Sequence, residues 1–244
     1  MRRRNKNRRR DRRVRDHRNE PDSSKGYTSY ATELEFRKIH IDPQSDGQDE
    51  YLDSIENNKL TICTGPAGTG KTLIAVASAC RMLREDADYD HIVIVRPAVT
   101  ACDEKLGYLP GDMDEKMGPF MLPVLYNLSK VVGKEYYSLL MKNDIIKVIP
   151  LAYMRGLTLD NCIAILDEAQ NTTPEQMKMF LTRIGEDCKV IVEGDEGQTD
   201  IRSANGLVDA IDRFADMSGV GLIRLDQSDI VRSEFVARIV ERYK

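Results

Sequence analysis

Eight consecutive residues, Gly65, Pro66, Ala67, Gly68, Thr69, Gly70, Lys71 and Thr72, match the pattern G-x-x-x-x-G-K-[ST] at every position. That spacing suits phosphate capture. Glycines let backbone N–H groups turn inward around an anion, and a helix that follows aims its positive dipole end at the same point. Lys71 is expected to reach the β- and γ-phosphates of a nucleotide, and Thr72 to ligate Mg2+. Such a loop only binds; hydrolysis needs acids. Asp167 and Glu168 supply a pair at the end of an apolar run that starts at Ile163. Asp167 is read as holding Mg2+ through water, and Glu168 as the general base that polarises the attacking water. A further run, VIVEGDEGQ over 190–198, ends in Asp195 and Gln198. By spacing Gln198 can sense a γ-phosphate or hold the water, and it can equally be an ordinary turn residue.

Those side chains act together only if strands and helices bring them to one place. The loop lies between KLTICTG (59–65), a β-branched run, and TLIAVASACRMLRE, with Ala, Leu and Arg at helical spacing. Further strands are expected at 91–97, where Pro97 stops the run, and at 145–151, 161–168, 188–195 and 221–227. Continuous apolar runs of this kind suit a parallel sheet covered on both faces. A helix is expected over 173–185, with Thr173 as N-cap, Pro174 at its first position, Gln176 completing a capping box and Gly185 closing it. Another is expected from Ser233. The alternation predicts an α/β fold, a three-layer sandwich with a mainly parallel sheet.

Residues 104–128 depart from the usual short connection and carry Pro110, Pro119 and Pro123. An excursion of that length is expected to be functional or an interface. Tyr108, Phe120, Tyr126 and the later Tyr153 are read as packing it onto the body or a neighbouring subunit, with base stacking on Tyr108 or Phe120 as the alternative.

The net charge of -4 conceals opposite halves. Positions 1–18 hold 11 Lys+Arg against Asp11 and Asp16, about +9, which leaves the remainder near -13. An arginine-rich arm with one valine cannot build a core and is expected to be disordered alone. RNA or single-stranded DNA phosphates are its expected partner, bound without base specificity; folding back on the acidic body, or simple solubility, is the alternative. The arm and a Pro/Gly/Ser linker occupy 1–31, and one domain is expected over 32–244. Apolar residues at 41% and charged residues at 31% exclude collagen, disulfide miniproteins and wholesale disorder. No apolar stretch reaches membrane-spanning length, so no membrane partner is expected, and with no secretory signal the expected location is cytoplasmic. Five cysteines without a C-x-x-C pair are read as reduced packing residues.

The blocks GPAGTGKT, VRPAV (95–99), EKLGYLPGD (104–112), PLAYMRG (150–156), LDEAQNTTPEQMKMFLTRIG (166–185), GD-x-x-Q (194–198), GL (206–207) and DIVRSEFVARIV (229–240), in this order, resemble the PhoH-like ATPase family. The resemblance spans roughly Gln48 to Tyr243. It implies one RecA-like P-loop NTPase domain, similar to the first motor domain of superfamily 1 helicases, commonly a hexameric ring, with ATP hydrolysis and an association with RNA metabolism and phosphate starvation. By the same resemblance Gln48 contacts adenine, Gln198 senses the γ-phosphate, and Arg232 approaches that phosphate within the chain or across a subunit interface. Ser233 stands where the family usually has histidine after that arginine. Arg96 and Arg155 are further candidates for phosphate or nucleic-acid contact, with structural pairing to acids as the alternative. The expected activity is therefore an Mg2+-dependent ATPase coupled to RNA or single-stranded DNA. A nucleotide-switched binding protein is the alternative, and a small-molecule phosphotransferase is disfavoured by Glu168, because a poised water would compete. With no room for a second motor domain in 244 residues, any translocation is expected to use subunits together.

Overall fold

The computed structural model describes residues 39–97, 113–201 and 204–231, together with Phe235 and Arg242; at 113–120 it describes the backbone alone. The arm, the linker, Tyr108, Arg232 and most of the expected C-terminal helix lie outside the described residues.

Among the described residues six strands form one sheet: β1 (Leu60–Thr64), β2 (His91–Arg96), β3 (Ile146–Pro150), β4 (Cys162–Leu166), β5 (Lys189–Gly194) and β6 (Val220–Arg224). Their order is β3-β2-β4-β5-β1-β6, and every pairing is parallel. Successive side chains alternate between the two faces. Cys63, Ile92, Ile94, Ile163, Ile165 and Ile191 pack one way and Ile62, Val93, Val95, Ala164, Val190 and Val192 the other. Both faces are thus apolar, which is why each strand reads as a continuous run.

On the first face lie α1 (Asp46–Asn57), α2 (Lys71–Glu85), α3 (Met113–Val132) and α4 (Lys134–Lys142); on the second lie α5 (Pro174–Leu181) and α6 (Gly206–Phe214). This is the expected three-layer sandwich. The capping box of α5 is present as read: the Gln176 N–H donates to the Thr173 hydroxyl (3.3 Å) and the Thr173 N–H to Gln176 Oε1 (2.9 Å). The helix ends at Leu181, short of Gly185. Its chain is drawn away by the segment at Leu159, whose N–H donates to the Arg183 carbonyl (2.8 Å) and whose carbonyl accepts from the Gly185 N–H (2.9 Å).

Of the 104–128 excursion, 104–112 lies outside the described residues, and 113–132 is helical through both Pro119 and Pro123. Proline removes a backbone donor and disfavours a helix interior. Here Met121, Val124, Leu128 and Val132 recur at helical spacing and are all buried, so tertiary packing of one face overrides the local penalty. Among the described residues no helix is long and apolar enough to cross a membrane. Cys63, Cys80, Cys162 and Cys188 are free and buried, as packing residues should be.

Candidate nucleotide site

In a parallel sheet all strands end on the same edge, and ligands collect in the crevice beyond their carboxyl ends. β1, β4 and β5 deliver the phosphate loop, the acid pair and a third acid to that edge.

The loop leaves β1 with the Gly65 N–H donating to the Gly194 carbonyl on β5 (3.2 Å). A side chain at position 65 would meet the Leu225 carbonyl at 2.7 Å, so glycine is required by close approach. At Gly70 the backbone adopts φ +81, a left-handed turn that starts α2 one residue later. The first N–H groups of α2 have no acceptor within their own helix and, with the dipole, face the loop. Lys71 Nζ donates to the carbonyls of Gly65 (2.6 Å) and Pro66 (3.0 Å), and the Thr69 hydroxyl donates to Pro66 (3.0 Å). The ammonium therefore sits inside the ring of the loop.

Gln48 is buried at 4% exposure on α1. Its Nε2 donates to the Thr69 carbonyl (2.9 Å), and its Oε1 accepts from the Gln44 N–H (2.8 Å). The amide ties α1 to the back of the loop. Beside it a cavity of about 480 Å³ is lined by Ile39, Ile41, Leu73, Ile74 and Val131 among others.

A second cavity, of about 270 Å³, is lined by Ala67, Gly68, Gly70, Lys71 and Thr72 from the loop, Asp167 and Glu168 after β4, and Glu193, Gly194, Asp195 and Gln198 at the end of β5. The Thr72 hydroxyl stands 3.5 Å from Asp167 Oδ1. Arg96, at the end of β2, clamps both acids, with Nε 3.0 Å from Asp167 Oδ2 and Nη2 3.2 Å from Glu168 Oε1. Of the two readings for Arg96, pairing with acids is the one observed. Burial lifts the Asp167 carboxyl from 3.8 to about 6; Arg96 opposes the rise and Glu168 adds to it. Glu168 itself has φ +56, uncommon for a residue with a side chain. Its Oε2 accepts from Gln170 Nε2 (2.5 Å), while Gln170 Oε1 accepts from the Asp195 N–H (3.0 Å). Gln170 thereby couples the acid pair to the turn after β5.

Gln198 is a turn residue at the edge of the cavity. Its N–H closes a turn onto the Asp195 carbonyl (3.1 Å), and its exposed side chain lines the cavity. Arg155 is exposed and lies in the lining of neither cavity. Tyr126 is 60% exposed, with Lys130 Nζ 4.4 Å from its ring centre, so it is not packed into the body. Arg232 lies outside the described residues; its neighbour Val231 donates its N–H to the Gly68 carbonyl (3.1 Å), which leads the chain to the loop.

Glu193 went unnoticed in the sequence. It is 1% exposed, and both carboxyl oxygens are buried without a hydrogen-bond partner. Burial pushes its carboxyl well above the usual range, helped by Asp167 and opposed by Lys71 and the nearby Thr72 hydroxyl. Inside the core run of β5 it reads as an interruption, and only that mismatch could have flagged it. Among the described residues no set of three or more His, Cys, Asp or Glu side chains forms a self-sufficient metal cage. The donor set fits Mg2+ arriving with a nucleotide, since that ion keeps several waters and takes one or two carboxylates plus phosphate oxygens. Thr72 and Asp167, 3.5 Å apart, are the side chains that could meet it.

The model of the family described as PhoH-like protein matches residues 40–244. The PhoH-like protein of Bacillus subtilis (strain 168) is 47% identical over 199 residues, which cover 81% of this chain and 62% of that protein. Protein PhoH of Escherichia coli (strain K12) is 43% identical over 204 residues, covering 82% and 57% respectively. The chain thus spans about three fifths of the length of these curated relatives. Among solved structures, the large terminase from a thermophilic bacteriophage shares the fold at a TM-score of 0.55 and 12% identity, over 83% of this chain and 51% of that one. A parallel sheet with its phosphate loop and acids on one edge, and a family model that runs from just before α1 to the final residue, agree: the chain belongs to the PhoH-like protein family.

Proposed function

We propose that this chain is an Mg2+-dependent ATPase whose turnover is coupled to RNA or single-stranded DNA. The observation that carries the reading is the convergence of Lys71, Thr72, Asp167 and Glu168 on one cavity, with the Thr72 hydroxyl 3.5 Å from Asp167. The loop N–H groups and Lys71 hold the triphosphate, and the cavity beside Gln48 takes the base. Thr72 and Asp167 hold the cation directly or through water. Bound Mg2+ supplies charge neutralisation across the phosphate oxygens. Glu168 orients the attacking water and accepts its proton, and Gln198 on the cavity rim contacts the γ-phosphate end. Arg232 completes the charge balance of the transferring phosphoryl group, within the chain or from a neighbouring subunit of a homo-oligomeric ring. The basic arm of 2–18 holds the polymer through its phosphates.

One observation favours a second reading, a nucleotide-switched binding protein. Glu168 is held on one oxygen by Arg96 and on the other by Gln170, so the carboxylate is pinned with both oxygens already engaged. Hydrolysis is then slow until a partner shifts one of those donors. ATP turnover of size-defined protein, measured with and without RNA and DNA, separates the two. Stimulation by polymer, with Glu168→Gln binding ATP but not turning it over and Lys71→Ala losing most nucleotide affinity, is the expected result. Retained turnover in Glu168→Gln rejects the assigned base. Slow turnover indifferent to any polymer leaves the switch.

A further inference from the structure

β5 lies between the strand that carries the phosphate loop and the strand that carries the acids. Leu166 pairs with Val192, so continuing the register by one residue sets Asp167 beside Glu193, while Cys63 on β1 pairs with Glu193 directly. Residues that pair laterally across a parallel sheet point to the same face. Asp167 and Glu193 therefore share the face that α2 covers, and both line the cavity with Lys71 and Thr72.

A carboxylate enclosed without hydrogen bond or counter-ion is strongly disfavoured. The cations around Glu193 are already engaged: Arg96 on Asp167 and Glu168, and Lys71 on the carbonyls of Gly65 and Pro66. The Thr72 hydroxyl from α2, Cys63 from β1 and Tyr51 from α1 also face it and bring no positive charge. The preceding β5 residues Val190, Ile191 and Val192 are apolar and fully buried, so packing alone would call for another apolar side chain at position 193. What the carboxyl has is an opening to the nucleotide cavity.

We propose that Glu193 is a third protein group of the metal centre, acting with Thr72 and Asp167 on the divalent cation and reaching it through the cation's water shell. The inference rests on the proposed nucleotide site and deepens it. A second carboxylate across from Asp167 holds the cation from the β5 side, and it accepts hydrogen bonds from metal-bound waters that otherwise have no acceptor there. Loss of such outer-shell groups typically weakens metal binding by about 10–100-fold.

The test is a titration of Mn2+, read by electron paramagnetic resonance, into the full chain with saturating ADP. Wild type is compared with Glu193→Gln, which keeps the shape and removes the charge. Mn2+ affinity is expected to fall at least tenfold, while ADP affinity measured in EDTA stays unchanged and the metal-free variant melts no lower than wild type. Mn2+ affinity within threefold of wild type overturns the proposal and leaves Glu193 a buried neutral acid. Should the glutamine variant melt below the assay temperature, the same titration on Glu193→Asp decides: weakened Mn2+ binding supports the proposal and wild-type affinity overturns it. A wild-type chain that binds no ADP at all rejects the nucleotide site itself, and this inference falls with it.

Discussion

Asp167→Asn should stabilise the metal-free protein at neutral pH. Asp167 is 4% exposed, and burial holds its carboxyl near 6 against an ordinary 3.8. Between those values the unfolded chain has already released this proton and the folded chain has not, so stability falls as pH rises through the interval and levels off above it. Two pH units at about 1.4 kcal/mol each give ~3 kcal/mol at pH 7.5 and about 1 kcal/mol at pH 4.5. Asparagine imitates the protonated form, can still accept from Arg96, and escapes that cost. Glu168, Glu193 and Lys71 remain around both forms, so the difference between the two proteins isolates one group. Denaturant unfolding in EDTA at pH 4.5, 5.5, 6.5 and 7.5 should show the gap widening in favour of asparagine. For a chain of this size it amounts to roughly 6–12 °C in melting temperature at the upper end. Adding MgADP should reverse the order, since ligand stabilises only the protein that binds it. A gap that is flat with pH, or an asparagine variant less stable at pH 7.5, would refute the idea that this acid is kept for its ligand rather than for the fold.

Gln170→Ala removes the link from Glu168 to the turn after β5; kcat for ATP should fall by up to about a hundredfold with KM little changed, whereas a purely structural role would lower the melting temperature and leave kcat per folded molecule alone. Deleting residues 2–18 should flatten the salt dependence of single-strand binding by about 0.7 in log–log slope for each arm cation engaged, and an unchanged slope would place the contact elsewhere. Mixing Arg232→Ala subunits with Glu168→Gln subunits should restore turnover if the arginine serves a neighbouring site. Mixtures as inactive as either parent would confine it to its own chain.

Much of the fold was legible because each strand lies between two apolar layers and so appears as an uninterrupted run. Five of the six strands fall within a residue or two of expectation at both ends. The last was expected to reach 227 and ends at Arg224; the Leu225 N–H still makes one ladder bond to the Thr64 carbonyl (2.8 Å), and Asp226 then caps a 3-10 turn that takes the chain off the sheet. Helices were less visible where their cause is tertiary. Within α3, Pro119 and Pro123 argue locally for irregular chain, and only the sheet beneath Val124 and Leu128 makes the helical stripe worth more than two missing hydrogen bonds. Arg96 shows the same limit from the other side: its type suggested an anion or an acid partner, and nothing local said which.

The site divides along the same line. Residues 65–72 and 167–168 are contiguous strings whose spacing encodes their geometry, and they were readable as strings. What lies between them depends on strand order, which no local pattern carries. With β5 inserted, the backbones of the loop strand and the acid strand stand two spacings apart, about 10 Å, and the side chains at their ends reach toward each other across β5. Whatever side chain ends the inserted strand forms the floor of that gap. A valine there would leave the floor dry; Glu193 makes it an acceptor, at a cost in fold stability for the ionised form that a bound cation would offset. Asp167 carries a cost of the same sign for the same reason. Two adjacent acids that each oppose folding are poor architecture and good chemistry, and their pairing across β4 and β5 is the sharpest sign that this edge of the sheet was shaped for what it binds.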